Sequence, residues 1–216
     1  LKFTLPGPMT IIDTLFDQHY GSREKLAWAF AEILNEEAKE LVAAGIDVIQ
    51  FDEPAFNVFF DDVRDWGVAA LERAARGLTC KTAVHICYGY GIEANIKWKN
   101  TLGDEWRQYE NIFPMLAKSS IDQISLECQN SKVPMELVEI LRGKQIMIGA
   151  IDVASNTVES AQDVAKVLRE ALAYVDAENL LACTNCGMVP LARDVANGKL
   201  QALAAGTALL NKELGL

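Results

Sequence analysis

The stretch from Ser22-Arg23-Glu24-Lys25-Leu26 through Leu41-Val42-Ala43-Ala44-Gly45, followed by Ile46-Asp47-Val48-Ile49-Gln50-Phe51-Asp52-Glu53-Pro54, carries two hydrophobic periods back to back. In the first, Leu26, Phe30, Ile33, Leu34, Leu41 and Val42 recur at helical spacing and approximate one apolar stripe. Ser22 suits an N-cap and Gly45 supplies the stop, so a helix is expected from about Ser22 to Ala44. The second is the short apolar run Asp47–Asp52, the pattern of a strand covered on both faces. A helix feeding directly into such a strand is half of a parallel α/β unit.

The alternation repeats along the chain. Strands are expected at Lys2–Leu5, Asp47–Asp52, Thr82–Tyr88, Gln123–Cys128, Gln145–Asp152 and Asn179–Thr184, with further helices over Val58–Arg76, Glu105–Lys118, Met135–Leu141, Glu159–Val175 and Leu191–Asn211. Right-handed crossovers between them give a parallel sheet, either open or closed into a (β/α)8 TIM barrel, with the chemistry at the carboxyl ends of the strands. A closed barrel typically needs about 250 residues and eight strands. This chain has 216 residues and opens directly in a strand, so the expectation is one catalytic barrel domain over residues 1–216 that lacks its N-terminal strands.

Half of the residues are hydrophobic and 23% are charged, a balance suited to a folded core rather than to disorder. The net charge of −10, with Lys and Arg interleaved among acids, argues against a nucleic-acid partner. No apolar run reaches the roughly 20 residues of a membrane span, and the first residues lack a basic segment leading into an apolar signal core. A cytoplasmic protein is expected. Five cysteines form no disulfide framework, and three lie in or beside expected strands, which points to reduced thiols and metal chemistry.

Three strand ends carry groups that suit a borderline divalent metal: His85-Ile86-Cys87, Glu127-Cys128, and Cys183-Thr184-Asn185-Cys186-Gly187. Residues i and i+2 of a strand point to one side, so His85 and Cys87 can address one point. Imidazole and thiolate suit zinc, and a displaceable carboxylate such as Glu127 would mark a catalytic site rather than a closed structural one. Cys80 and Cys128 read as small core residues. In the C-x-x-C pair, Cys186 at the strand end reads as the ligand and Cys183 as core, because Gly187-Met188-Val189-Pro190 does not open a helix as a redox motif would.

Asp52-Glu53-Pro54 ends an apolar strand in two carboxylates, which could receive a substrate ammonium, bind metal, move protons, or cap the next helix. Tyr88 and Tyr90, just past the metal pair, and Asp152, at another strand end, are further pocket candidates.

Taken in order, Val48–Pro54, Val84–Tyr88, Ile124–Glu127, Gly149–Asp152 and Asn185–Gly187 resemble the C-terminal domain of the cobalamin-independent methionine synthase family, and Leu5-Pro6-Gly7-Pro8-Met9-Thr10 is similar to that domain's glycine-proline turn. The similarity runs nearly to the C-terminus. It implies a (β/α)8 barrel in which His85, Cys87, Glu127 and Cys186 bind Zn2+ and Asp52 holds the homocysteine ammonium, with Glu53 as the second candidate; Tyr88 and Asp152 stand as substrate-pocket candidates by their positions at strand ends. The implied reaction is methyl transfer to the homocysteine thiol to form methionine, with zinc favouring the thiolate and Glu127 giving way to, or sharing the metal with, the substrate sulfur. Folate-using members carry a histidine in a G-x-x-D-x-H segment where this chain has Ala154, so the implied donor is 5-methyltetrahydrofolate or a methylated corrinoid protein. The alternatives are a related zinc methyltransferase for another thiol, and a zinc-binding regulatory domain without turnover.

Overall fold

Six strands lie in one sheet in sequence order: β1 (Lys2–Pro6), β2 (Val48–Asp52), β3 (Lys81–Ile86), β4 (Gln123–Glu127), β5 (Gln145–Gly149) and β6 (Leu180–Cys183). The structure, a computed structural model, describes residues 1–89 and 97–216. Parallel pairing is seen for β1 with β2, β2 with β3 and β5 with β6. The parallel α/β architecture is as expected, and each strand lies beside its sequence neighbour, as in the wall of a barrel. Over the described residues the sheet is open, with β1 and β6 as its outer members. The chain leaves the sheet earlier than expected, at Ile86, Glu127 and Gly149. Cys87, Tyr88, Cys128 and Asp152 therefore occupy loops at strand ends.

The chain packs as two units, Leu1–Ile86 with Gln108–Ile124, and Cys87–Arg107 with Ser125–Leu216. In the first, the registers Pro6↔Asp52 and Asp52↔His85 align the carboxyl ends of β1, β2 and β3. The expected long helix forms at Arg23–Ala43, with Ser22 Oγ accepting the Lys25 N–H at 3.3 Å. It ends before Gly45, whose φ of +99° lies in the left-handed region. Its buried face is rotated from the expected stripe: Leu26, Ala27, Ala31, Leu34, Asn35 and Ala38 turn inward, while Ile33 is 56% exposed. Alanines admit the helix Val68–Ala75 closely, and Asn35 Nδ2 donates to the Ala74 and Arg76 carbonyls at 2.9 and 2.8 Å, satisfying that helix's end.

The helix expected over Val58–Arg76 is preceded by a 3-10 turn at Pro54–Asn57 and is itself broken into a short turn at Phe60–Asp62, a wide π turn at Val63–Gly67 and the regular helix Val68–Ala75. Phe59 departs from helical geometry (φ −116°, ψ 62°), and its ring lies under the Arg23 guanidinium at 4.4 Å. A short helix at Pro8–Asp13 was not expected from hydrophobic period.

In the second unit, helix Ala161–Ala171 opens on a capping box of Ser160 and Asp163 and packs on the helix Arg193–Leu214. Lys199 on the latter is fully buried, and its Nζ bonds Thr157 O at 2.6 Å and Glu159 Oε2 at 2.8 Å. Among the described residues, no helix is long and apolar enough to cross a membrane. All five cysteines are free thiols.

Candidate metal centre

Among the described residues, each expected site residue sits at or just beyond the carboxyl end of a strand. His85 is 5% exposed, one residue before the end of β3, and Cys87 follows that end at 2% exposure. Cys87 Sγ lies 3.8 Å from Cys186 Sγ and accepts the Gly89 N–H at 3.4 Å. Ligand atoms of His85, Cys87 and Cys186 all lie within 4.8 Å of one another. Cys186 stands three residues past the end of β6, and Cys183, its C-x-x-C partner, is the last residue of that strand, with its Sγ 3.7 Å from Ser125 Oγ.

The carboxylate of Glu127, 1% exposed at the end of β4, accepts the Tyr88 N–H at 3.0 Å. It therefore reaches the Cys87–Tyr88–Gly89 turn, while standing outside the tight trio of ligand atoms. The Cys87 thiol is pushed well above its ordinary range by the bond with Cys186, then by burial, then by the Cys186 and Glu127 charges. Thiols and a carboxylate gathered in a buried place repel when ionised, and a bound divalent cation reverses that balance. The donor set of one imidazole, two thiols and a nearby carboxylate fits zinc with a fourth, exchangeable position.

Asp52 is the register partner of His85 across β2 and β3 and accepts the Gln50 Nε2–H at 2.8 Å. Glu53 turns the other way. It is fully buried, and its carboxylate accepts the Met9 N–H at 3.0 Å, the Thr10 N–H at 2.9 Å and the Thr10 hydroxyl at 2.7 Å. Burial raises its pKa to about 7 against the lowering effect of those bonds. Gly7 lies so close that a Cβ there would meet Glu53 Cδ at 2.2 Å. The glycine-proline turn is thus shaped to receive this carboxylate.

Tyr88 is 2% exposed and packs against Trp106 and Trp98, with ring centroids 4.9 and 5.7 Å away. Tyr90 lies outside the described residues. Asp152 is 9% exposed; its Oδ1 accepts the Ala154 N–H at 2.8 Å and its Oδ2 an Asn130 Nδ2–H at 3.1 Å. Cys128 is half-buried and its thiol is raised by burial, in keeping with a packing role, whereas Cys80 is half-exposed at the opposite end of β3.

One residue that sequence reasoning passed over is Asn185. It is fully buried and bonds the loops after β4 and β5, and a polar residue directly before a candidate ligand was the available signal.

An imidazole and two thiols gathered at the carboxyl edge of a parallel α/β sheet make a candidate metal site on an α/β fold, at the place where such folds carry their ligands. Residues 1–207 match the cobalamin-independent synthase catalytic domain, and the chain belongs to that family. A methionine synthase of Saccharolobus islandicus is 33% identical over 99% of this chain and 59% of its own length. One from Sulfurisphaera tokodaii is 32% identical over 99% of this chain and 58% of its own. The structure of a B12-independent methionine synthase from Shewanella sp. W3-18-1 in complex with selenomethionine matches with a TM-score of 0.96 and 69% identity, covering 99% of this chain and 62% of that one. A methyltransferase from Methanosarcina mazei shares the fold (TM-score 0.64, 18% identity, 94% of this chain and 58% of that one). The chain spans about three fifths of the length of the curated relatives it matches.

Proposed function

We propose that this chain is the catalytic part of a zinc-dependent methyltransferase that methylates the thiol of homocysteine to give methionine. The observation that carries the reading is the convergence of His85, Cys87 and Cys186 within 4.8 Å, in a chain whose family is that of cobalamin-independent synthase catalytic domains. Residues 1–216 act as one catalytic domain, and the cluster of free thiols suits the reducing cytoplasm.

His85, Cys87 and Cys186 would hold the metal, with Glu127 as the exchangeable ligand. When bound, zinc favours the thiolate form of a substrate thiol at neutral pH. Asp52, beside His85 in the sheet, receives the substrate ammonium and so selects an amino-acid thiol. Gln50, donating to Asp52, fixes the direction of that carboxylate. Glu53 supports the same edge by fastening residues 7–10, and the Glu53 N–H bonds His85 O at 2.8 Å. Tyr88 lines the pocket through its backbone, which orients Glu127, and Asp152 through the loop it braces against Asn130. The ligand named for the Shewanella structure, selenomethionine, is an analogue of the proposed product. The donor is 5-methyltetrahydrofolate or a methylated corrinoid protein, and Ala154 is the feature that bears on that choice.

The test compares homocysteine with a thiol of equal length lacking the amino group, binding to zinc-loaded wild type and Asp52→Ala. Wild type should prefer homocysteine by 10-fold or more and Asp52→Ala should lose the preference, on the usual strength of a charge-assisted bond. Equal binding of both thiols by wild type would exclude Asp52 as the ammonium site.

A further inference from the structure

Asn185 ties three strand-end loops together. Its N–H donates to Ile151 O at 2.9 Å, its Oδ1 accepts the Cys128 and Gln129 N–H groups at 3.1 and 3.2 Å, and its Nδ2 donates to Gln129 O at 2.7 Å. The fit is closed from behind by Gly149, where a Cβ would stand 2.5 Å from Asn185 Oδ1, 2.6 Å from Leu126 O and 2.8 Å from Asn185 Cα. On the other side of Cys186 the chain turns outward: Gly187, Val189 and Pro190 are exposed, and a Cβ on Gly187 would touch nothing within 4 Å. The place of Cys186 is therefore set from its N-terminal side. Thr184 adds to this, its hydroxyl donating to Cys186 O at 2.8 Å.

We propose that Asn185 is a positioning residue for the metal centre: it locks the loop after β6 onto the loops after β4 and β5, and thereby holds the Cys186 thiol against Cys87. The inference rests on the zinc reading above, and the feature it explains is the Sγ–Sγ approach of 3.8 Å. Groups outside the coordination shell that fix a ligand's direction commonly govern affinity by 10–100-fold.

The experiment compares wild type, Asn185→Ala and Asn185→Asp, the last retaining an acceptor for the Cys128 and Gln129 N–H groups. Zinc affinity is read by competition with a chromophoric chelator, melting is followed with and without zinc, and the Cys87–Cys186 pair is cross-linked in metal-free protein with dibromobimane and mapped by mass spectrometry. Asn185→Ala should lose about 10–100-fold in zinc affinity, gain less from zinc in melting temperature, and cross-link less, with Asn185→Asp between it and wild type. A fall in melting temperature that is equal with and without zinc, with affinity and cross-linking unchanged, would reduce Asn185 to a structural role and overturn the proposal. If Asn185→Ala does not fold, Asn185→Asp decides by the same readings. If wild type takes up no zinc, the metal reading fails on its own, and cross-linking alone upholds or overturns the role of Asn185.

Discussion

Gly7→Ala isolates the contact that shapes the first strand end. The Gly7 backbone (φ −77°, ψ 163°) is extended and open to any residue, so the substitution carries no conformational strain. Its cost is steric: the new methyl would fall 2.2 Å from Glu53 Cδ, 2.3 Å from Oε1 and 2.4 Å from Cγ. Glu53 must move, and in moving it gives up bonds to the Met9 N–H, the Thr10 N–H and the Thr10 hydroxyl. At about 1 kcal/mol for each neutral bond and more for an ionised acceptor, the loss is about 3–5 kcal/mol. For a chain of this size that corresponds to a melting temperature lower by on the order of 10 °C. Urea denaturation of wild type, Gly7→Ala, Glu53→Ala and the double variant measures the coupling. Because Glu53→Ala removes every atom in the collision, Gly7→Ala should be nearly neutral in that background. An equal cost of Gly7→Ala in both backgrounds would refute the reasoning.

Lys199→Met leaves the nearly buried Glu159 carboxylate without its cation and should cost about 3–5 kcal/mol, most of it recovered in Lys199→Met/Glu159→Gln; chemical denaturation of the pair checks this. Glu53 binds its proton more tightly folded (pKa about 7) than unfolded (4.5), so its ionisation opposes folding and stability should fall by about 3 kcal/mol as pH rises from about 4.5 to 7. Glu53→Gln should lack that fall in denaturation curves taken across the same range. Cys186→Ser removes one of two thiols 3.8 Å apart and should lower zinc stoichiometry, measured by elemental analysis after dialysis, from one per chain to well below it.

The alternation of apolar runs made the parallel sheet readable, because strands covered on both faces are mostly hydrophobic, continuously so at residues 146–148 and with a single polar interruption at Gln50 in β2 and at Ser125 in β4. The nearness of His85 to Cys87 was also legible, since their i, i+2 spacing is a local geometric fact, whereas the approach of Cys186, 99 positions from Cys87, is set by the topology. The inward face of Arg23–Ala43 was less so: period alone ranked Ile33 with the core, whereas close helix packing selected Ala27, Ala31 and Ala38 and buried Asn35 to satisfy another helix's carbonyls. The helix Pro8–Asp13 has no period long enough to announce it; it forms because Glu53, 43 and 44 positions away, bonds its first amides. The role of Asn185 was hidden for the same reason, its side-chain partners Cys128 and Gln129 being distant in sequence. The break before Val68 lies in a run of Val and Phe that reads as helical by hydrophobicity but is weak in helix propensity.

The central claim is that His85, Cys87 and Cys186 hold a zinc ion with a coordination position open to a substrate thiol. Zinc K-edge X-ray absorption on the zinc-loaded protein, before and after homocysteine, reads that shell directly. The account predicts two sulfurs with nitrogen and oxygen at rest, and a third sulfur replacing oxygen when homocysteine is added. An unchanged shell, or no zinc retained at all, would contradict it.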